Sequence, residues 1–83
     1  ANTADLVEAG VRDLSFKRTK DAINKFDKAI KDNPNYALSY ANRANAYIVQ
    51  RKYKEAIADA TKAIELDPKL AIAYVNRSWA YNS

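Results

Sequence analysis

The side chains that most often do chemistry in proteins are missing or unassisted in this sequence. It has no histidine and no cysteine, which removes the commonest general base, the commonest nitrogen ligand and every thiolate site. Ser15, Ser39, Ser78 and Ser83 therefore lack an imidazole to activate them, and the pattern offers no buried lysine in its place. The carboxylates are scattered at helix-surface positions, and Gly10 is the sole glycine, so no glycine-rich phosphate loop exists. No catalytic constellation, metal site or cofactor is expected. What remains is recognition chemistry. Asn42, Asn45 and Asn76 each carry a donor and an acceptor, able to grip an extended backbone without reading its side chains. Trp79, the only tryptophan, is the residue type favoured as an interface anchor.

Helices must hold these groups. Of the 83 residues, 48% are hydrophobic and 29% charged, an ordinary globular balance. One glycine and two prolines argue against an all-β fold, which needs many turn residues. No apolar run approaches the roughly 18 residues of a membrane span, and no signal-peptide pattern is present. A start at Ala1 rather than methionine reads as processing or as excision from a longer chain.

The most informative pattern is self-similarity. Pro34 and Pro68 lie 34 residues apart. The same offset pairs Lys20 with Lys54, Ala22 with Ala56, Ile23 with Ile57, Ala29 with Ala63 and Ile30 with Ile64. It goes on to pair Tyr40 with Tyr74, Asn42 with Asn76, Arg43 with Arg77 and Tyr47 with Tyr81. The expected units are residues 3–36, 37–70 and a partial third, 71–83. Each full unit reads as two helices. In the second, helical periodicity covers Leu38–Gln50, a turn falls at Gln50-Arg51-Lys52, and a second helix runs from Tyr53 to Leu66 before Asp67-Pro68. The first unit predicts helices over Thr3–Ser15 and Thr19–Asp32, and the third a single helix over Leu70–Tyr81.

These residues resemble the tetratricopeptide repeat. Unit one shows Leu6, Ala9-Gly10, Ala22, Phe26, Ala29 and Pro34, with Asp13 where a tyrosine belongs. Unit two shows Tyr40, Ala44, Tyr47, Tyr53, Ala56, Ala63 and Pro68, with Ala60 in place of the second aromatic. The 34-residue period and the Asn-Pro and Asp-Pro unit ends favour it over a helical RNA-reading repeat of slightly longer period. The resemblance implies an all-α, right-handed α-solenoid of five antiparallel helices. The small residues let helices cross closely, and the tyrosines form core between units rather than a ladder for stacking bases.

The resemblance also implies a site. In such proteins one stripe of each first helix lines a concave groove that holds a peptide. By matching offsets, the groove residues are Val7 and Val11, then Leu38, Asn42, Asn45 and Val49, then Ile72, Val75, Asn76 and Trp79. The set is uncharged, so an apolar or amphipathic segment of a partner protein is the expected guest. Some family members clamp the C-terminal carboxylate of chaperone tails with Lys, Asn, Asn, Lys and Arg. Those positions fall here on Val7, Val11, Asn42, Ile72 and Asn76, and only Asn42 agrees. No chaperone-tail clamp is expected. Arg43 and Arg77 recur inside the scaffold, so each should form a structural ion pair, Arg77 with Asp67.

Two other functions compete with peptide binding. The last helix is apolar on more than one side, with Leu70, Ile72, Tyr74, Val75, Trp79 and Tyr81. Either the chain is a segment of a longer array or a second copy covers that surface, making a homo-oligomer. The two turns carry Arg12, Lys17, Arg18, Lys20, Arg51, Lys52 and Lys54, an edge that could meet RNA. The carboxylates Asp13, Asp21 and Glu55 dilute that field, so solubility is the plainer role and nucleic acid is not the expected partner.

Overall fold

The computed structural model describes residues 2–83. These form five α-helices: α1 (Thr3–Ser15), α2 (Thr19–Asp32), α3 (Ala37–Val49), α4 (Tyr53–Leu66) and α5 (Ala71–Tyr81). Three boundaries differ from the sequence expectation by one residue, the start of α3 among them, at Ala37 rather than Leu38. Tyr36 and Leu70 are extended N-caps, and Gln50 is a C-cap, so α3 ends at Val49 and α5 begins at Ala71. The start of α1 is fixed by Asn2, whose side chain accepts a hydrogen bond from the Asp5 amide at 2.9 Å.

The turns inside the two helix pairs are built alike. Lys17 and Arg51 both sit at φ 61°. The Lys17 amide donates to Leu14 O and the Arg18 amide to Asp13 O, while Arg51 donates to Ile48 O and Lys52 to Tyr47 O. Each set of two bonds is a Schellman closure around a left-handed residue. The turns between pairs also repeat. Asn33 and Asp67 accept from the amides two residues on, Asn35 and Lys69, both at 3.1 Å. The Tyr40 and Tyr74 hydroxyls then donate to the Pro34 and Pro68 carbonyls, at 2.8 and 2.9 Å.

Packing follows residue size. Ala22, Ala29, Ala56 and Ala63 are fully buried where helices cross. Gly10 packs directly on the Phe26 ring: a Cβ there would lie 2.4 Å from Cε1. At the same offset in the second pair stand Ala44 and Ala60, both fully buried. The aromatic bulk of that pair comes instead from Tyr47 and Tyr53, packed on the Ala44, Ala56, Ala60 and Ala80 cluster. Asp13, which occupies the tyrosine position of the first pair, is buried and salt-bridged to Lys25.

Helices α1, α3 and α5 pack against one another in sequence, whereas the backbones of α2 and α4 stay apart. The first helices of the pairs therefore form the closed inner layer, and the second helices splay on the outside. The molecule measures 34 × 26 × 17 Å, and its thinnest dimension accommodates two interlocked helix layers.

Candidate functional site

The inner layer is where the sequence places its groove residues, and the structure sorts them. Val7 is 5% exposed and lies in the core with Ala22, Phe26, Ala29 and Ala46, so it offers no surface. Leu38 packs against the same cluster, and Ile72 packs against Tyr40, Ala41, Ala63 and Ala73. These three are drawn inward because α1, α3 and α5 pack tightly side by side. Val11, Val49, Val75 and Trp79 stay exposed, and Asn45 is half-buried.

The asparagines expected to grip a peptide have partners inside the scaffold. The Asn42 amide nitrogen donates to the Leu38 carbonyl of its own helix at 2.9 Å. The Asn76 nitrogen reaches from α5 to the Ala41 carbonyl of α3 at 2.8 Å. Both side chains are under a tenth exposed. Asn76 thus ties α5 to the backbone of α3 through a second bond to a carbonyl inside that helix.

One part of the expected set does converge. Between α3 and α5 an open depression of about 390 Å³ is lined by Asn45, Ile48, Val75, Asn76 and Trp79. Ile48 is absent from the sequence-based set, although its i+3 spacing from Asn45 places it on the adjoining strip of α3. The lining carries no charge. Its polar groups are two carboxamides, and Trp79, 61% exposed, forms its rim. Val11 and Val49 lie outside this depression. Trp79 also borders a second depression, on α5 itself, with Tyr74, Val75, Ser78 and Asn82.

The ion pairs lie away from this surface. Arg43 binds Asp59 through two bonds, Nε–Oδ2 at 2.7 Å and Nη2–Oδ1 at 2.8 Å, and Asp27 through Nη1 at 2.9 Å. Hydrogen bonding to Asp59 above all holds its pKa above the ordinary arginine value, against the opposing effect of burial. Arg77 does not pair with Asp67 as expected. Its guanidinium lies 5.6 Å from the Tyr74 ring centroid. The reason is positional: the carboxylates of Arg43 stand sixteen residues to either side, and sixteen before Arg77 stands Thr61. Asp67 is engaged by the Lys69 amide. Tyr74 and Tyr81, expected in the core, are 40% and 66% exposed, because α4 covers only one side of α5.

The tetratricopeptide repeat family model matches residues 37–70. The second tetratricopeptide domain of Spaghetti (RPAP3), solved bound to the HSP90 peptide SRMEEVD, superposes with a TM-score of 0.93 at 31% identity, over 98% of this chain and 75% of that one. The chain belongs to the tetratricopeptide repeat family. The Arabidopsis OM64 tetratricopeptide domain is 32% identical, with a TM-score of 0.92 over 96% of this chain and 66% of that one. The Sgt2 tetratricopeptide domain of Aspergillus fumigatus is 26% identical, with a TM-score of 0.91 over 96% of this chain and 53% of that one. Curated protein sequences give no match. Tetratricopeptide domains are generally non-catalytic interaction modules. This one combines the family's all-α solenoid with an inner layer that bears apolar and carboxamide groups.

Proposed function

We propose that this tetratricopeptide module is a non-catalytic scaffold that holds an apolar or amphipathic segment of a partner protein on its inner layer. The observation that carries the proposal is the uncharged depression between α3 and α5, with Trp79 exposed at its rim. Asn45 is the carboxamide best placed to meet a guest backbone, since Asn42 and Asn76 already donate within the scaffold. Val75 and Trp79 supply the apolar contact, with Val11 and Val49 farther along the same layer. The Spaghetti domain bound to an HSP90 peptide supports peptide binding as the mode. It does not supply the peptide's identity, because Val7, Ile72 and Asn76 carry no charge where a carboxylate clamp needs cations, and Val11 stands where it needs an asparagine.

Trp79 is the sole tryptophan, so its emission reports directly on this site. Titration with short apolar peptides should shift the emission to the blue, and SRMEEVD should leave it unchanged. Val75→Glu and Asn45→Lys should weaken the apolar peptides by about tenfold or more. An unmoved emission, or binding indifferent to both substitutions, would refute the reading.

A second reading draws on α5. Tyr74, Trp79 and Tyr81 are exposed together there, and an apolar depression runs beside them. Such a surface suits self-assembly with another copy. Light scattering over a concentration series separates the readings. A constant monomer mass supports the peptide scaffold, and a mass that rises with concentration and falls back in Tyr81→Ser supports self-assembly.

A further inference from the structure

The edge carrying the two Schellman turns has a composition of its own. The depression there is lined by Lys17, Arg18, Thr19, Lys20 and Asp21 from the first turn and by Gln50 from the second, which places both turns on one side of the molecule. Lys17, Arg18 and Lys20 recur 34 residues later as Arg51, Lys52 and Lys54. All six are exposed. The ion pairs among the described residues engage Lys25 and Arg43 and none of these six. Asp13, whose charge would weaken the edge, is buried and neutralised by Lys25. Two of the cations, Lys17 and Arg51, occupy left-handed positions at φ 61° that favour glycine. Phe16, 66% exposed, stands beside them with the Arg18 guanidinium 6.0 Å from its ring centroid.

The carboxylates on the edge decide what kind of partner it fits. Asp21 and Glu55 also recur at the 34-residue offset, each directly after a lysine. Each turn therefore presents the order cation, cation, neutral, cation, anion. A polyphosphate backbone is negative at every step and would be repelled twice, at Asp21 and at Glu55. A protein segment can place acids against the cations and leave basic or neutral residues opposite the carboxylates. The Phe16 ring adds an apolar contact that a side chain can use.

We propose that this edge is a second interaction surface, separate from the inner layer, that receives an acidic segment of a partner protein. Both turns are closed by backbone hydrogen bonds, which fixes where the cations are anchored, and the contribution of the edge lies in speed and selectivity of association.

The test is fluorescence anisotropy with a labelled Glu-rich peptide containing one leucine, and with an oligothymidylate of similar length, at low and high salt. The peptide should bind, and bind less tightly as salt rises. Combined Lys17, Arg18, Arg51 and Lys52→Glu should cost about tenfold or more in affinity. Val75→Glu, on the inner layer, should leave peptide binding unchanged. Lys17→Gly with Arg51→Gly gives the sharper variant, because it relaxes the backbone while removing charge: thermal stability should rise while peptide affinity falls. Three results would overturn the proposal. These are no peptide binding at low salt, peptide binding indifferent to both cation variants, or tighter binding of the oligonucleotide than of the peptide.

Discussion

Gly10 and Phe26 share a volume that has no room for one more carbon. A Cβ on Gly10 would meet three ring carbons within 2.9 Å. Gly10→Ala should therefore destabilise the fold by about 1–3 kcal/mol through overpacking. Phe26→Ala should cost about 3–5 kcal/mol through the cavity it leaves. The second pair uses alanine at both positions, Ala44 and Ala60, without a clash. The double variant should consequently cost less than the sum of the singles, a coupling readable in urea melts. Ser39 makes the opposite case. It is fully buried, and its hydroxyl has no hydrogen-bond partner among the described residues. The same offset holds Ala73, also fully buried. Ser39→Ala should stabilise the protein by about 1 kcal/mol, seen as a raised unfolding midpoint.

Tyr47 links residue chemistry to pH. Burial raises its phenol above the ordinary value of 10.0, while the nearby Arg43 cation pulls the other way. The folded state holds that proton more tightly than the unfolded chain does. Stability from this source is fully present below pH 10.0 and is lost as pH rises through the folded-state value. The fall of the urea midpoint above that pH should be smaller in Tyr47→Phe than in the parent chain.

At the scale of elements, the two turns inside the pairs end their helices identically although their sequences differ. Phe16-Lys17-Arg18 and Gln50-Arg51-Lys52 share only the cations, yet both close through the same hydrogen bonds. The left-handed residue in each is one that a Cβ penalises. Replacing Lys17 or Arg51 by glycine should stabilise the protein by about 0.5–1 kcal/mol each, measured by thermal unfolding. The helices α2 and α4 begin without a side-chain cap, at Arg18 and Lys52. Cations at helix N-termini oppose the helix dipole, so neither residue is there for helix stability.

At the scale of the whole molecule, Arg43 ties the pairs together. From α3 it reaches back to Asp27 on α2 and forward to Asp59 on α4. Asp59 is buried and Asp27 half exposed. Arg43→Met should cost about 2–3 kcal/mol, most of it from Asp59 left buried without a counter-charge and less than for a pair wholly out of water. It should also broaden the unfolding transition, since a solenoid's cooperativity rests on the coupling between neighbouring units. Denaturant unfolding followed by Trp79 emission and by helical circular dichroism would show the two signals separating.

The solenoid is legible in the residue pattern alone. A 34-residue recurrence of small residues, aromatics and prolines leaves few ways to pack, and local helical periodicity with Asn-Pro and Asp-Pro stops places each helix within a residue of its observed ends. Which polar and apolar groups face outward is set by the packing of the helices on one another. Val7 and Val11 are four residues apart on one helix stripe, yet one is core and the other surface, because Val7 joins the cluster built with α2 and α3 and Val11 does not. Asn42 and Asn76 look alike at one offset, but one bonds within its helix and the other across to its neighbour. Asp13 reads as a surface anion until Lys25 folds against it. Arg43 and Arg77 share an offset, but only Arg43 has carboxylates sixteen residues away on both sides. Periodicity reports which face of a helix a residue occupies. Whether that face is covered depends on distances between helices that are far apart in the chain, and those exist only once the helices have packed.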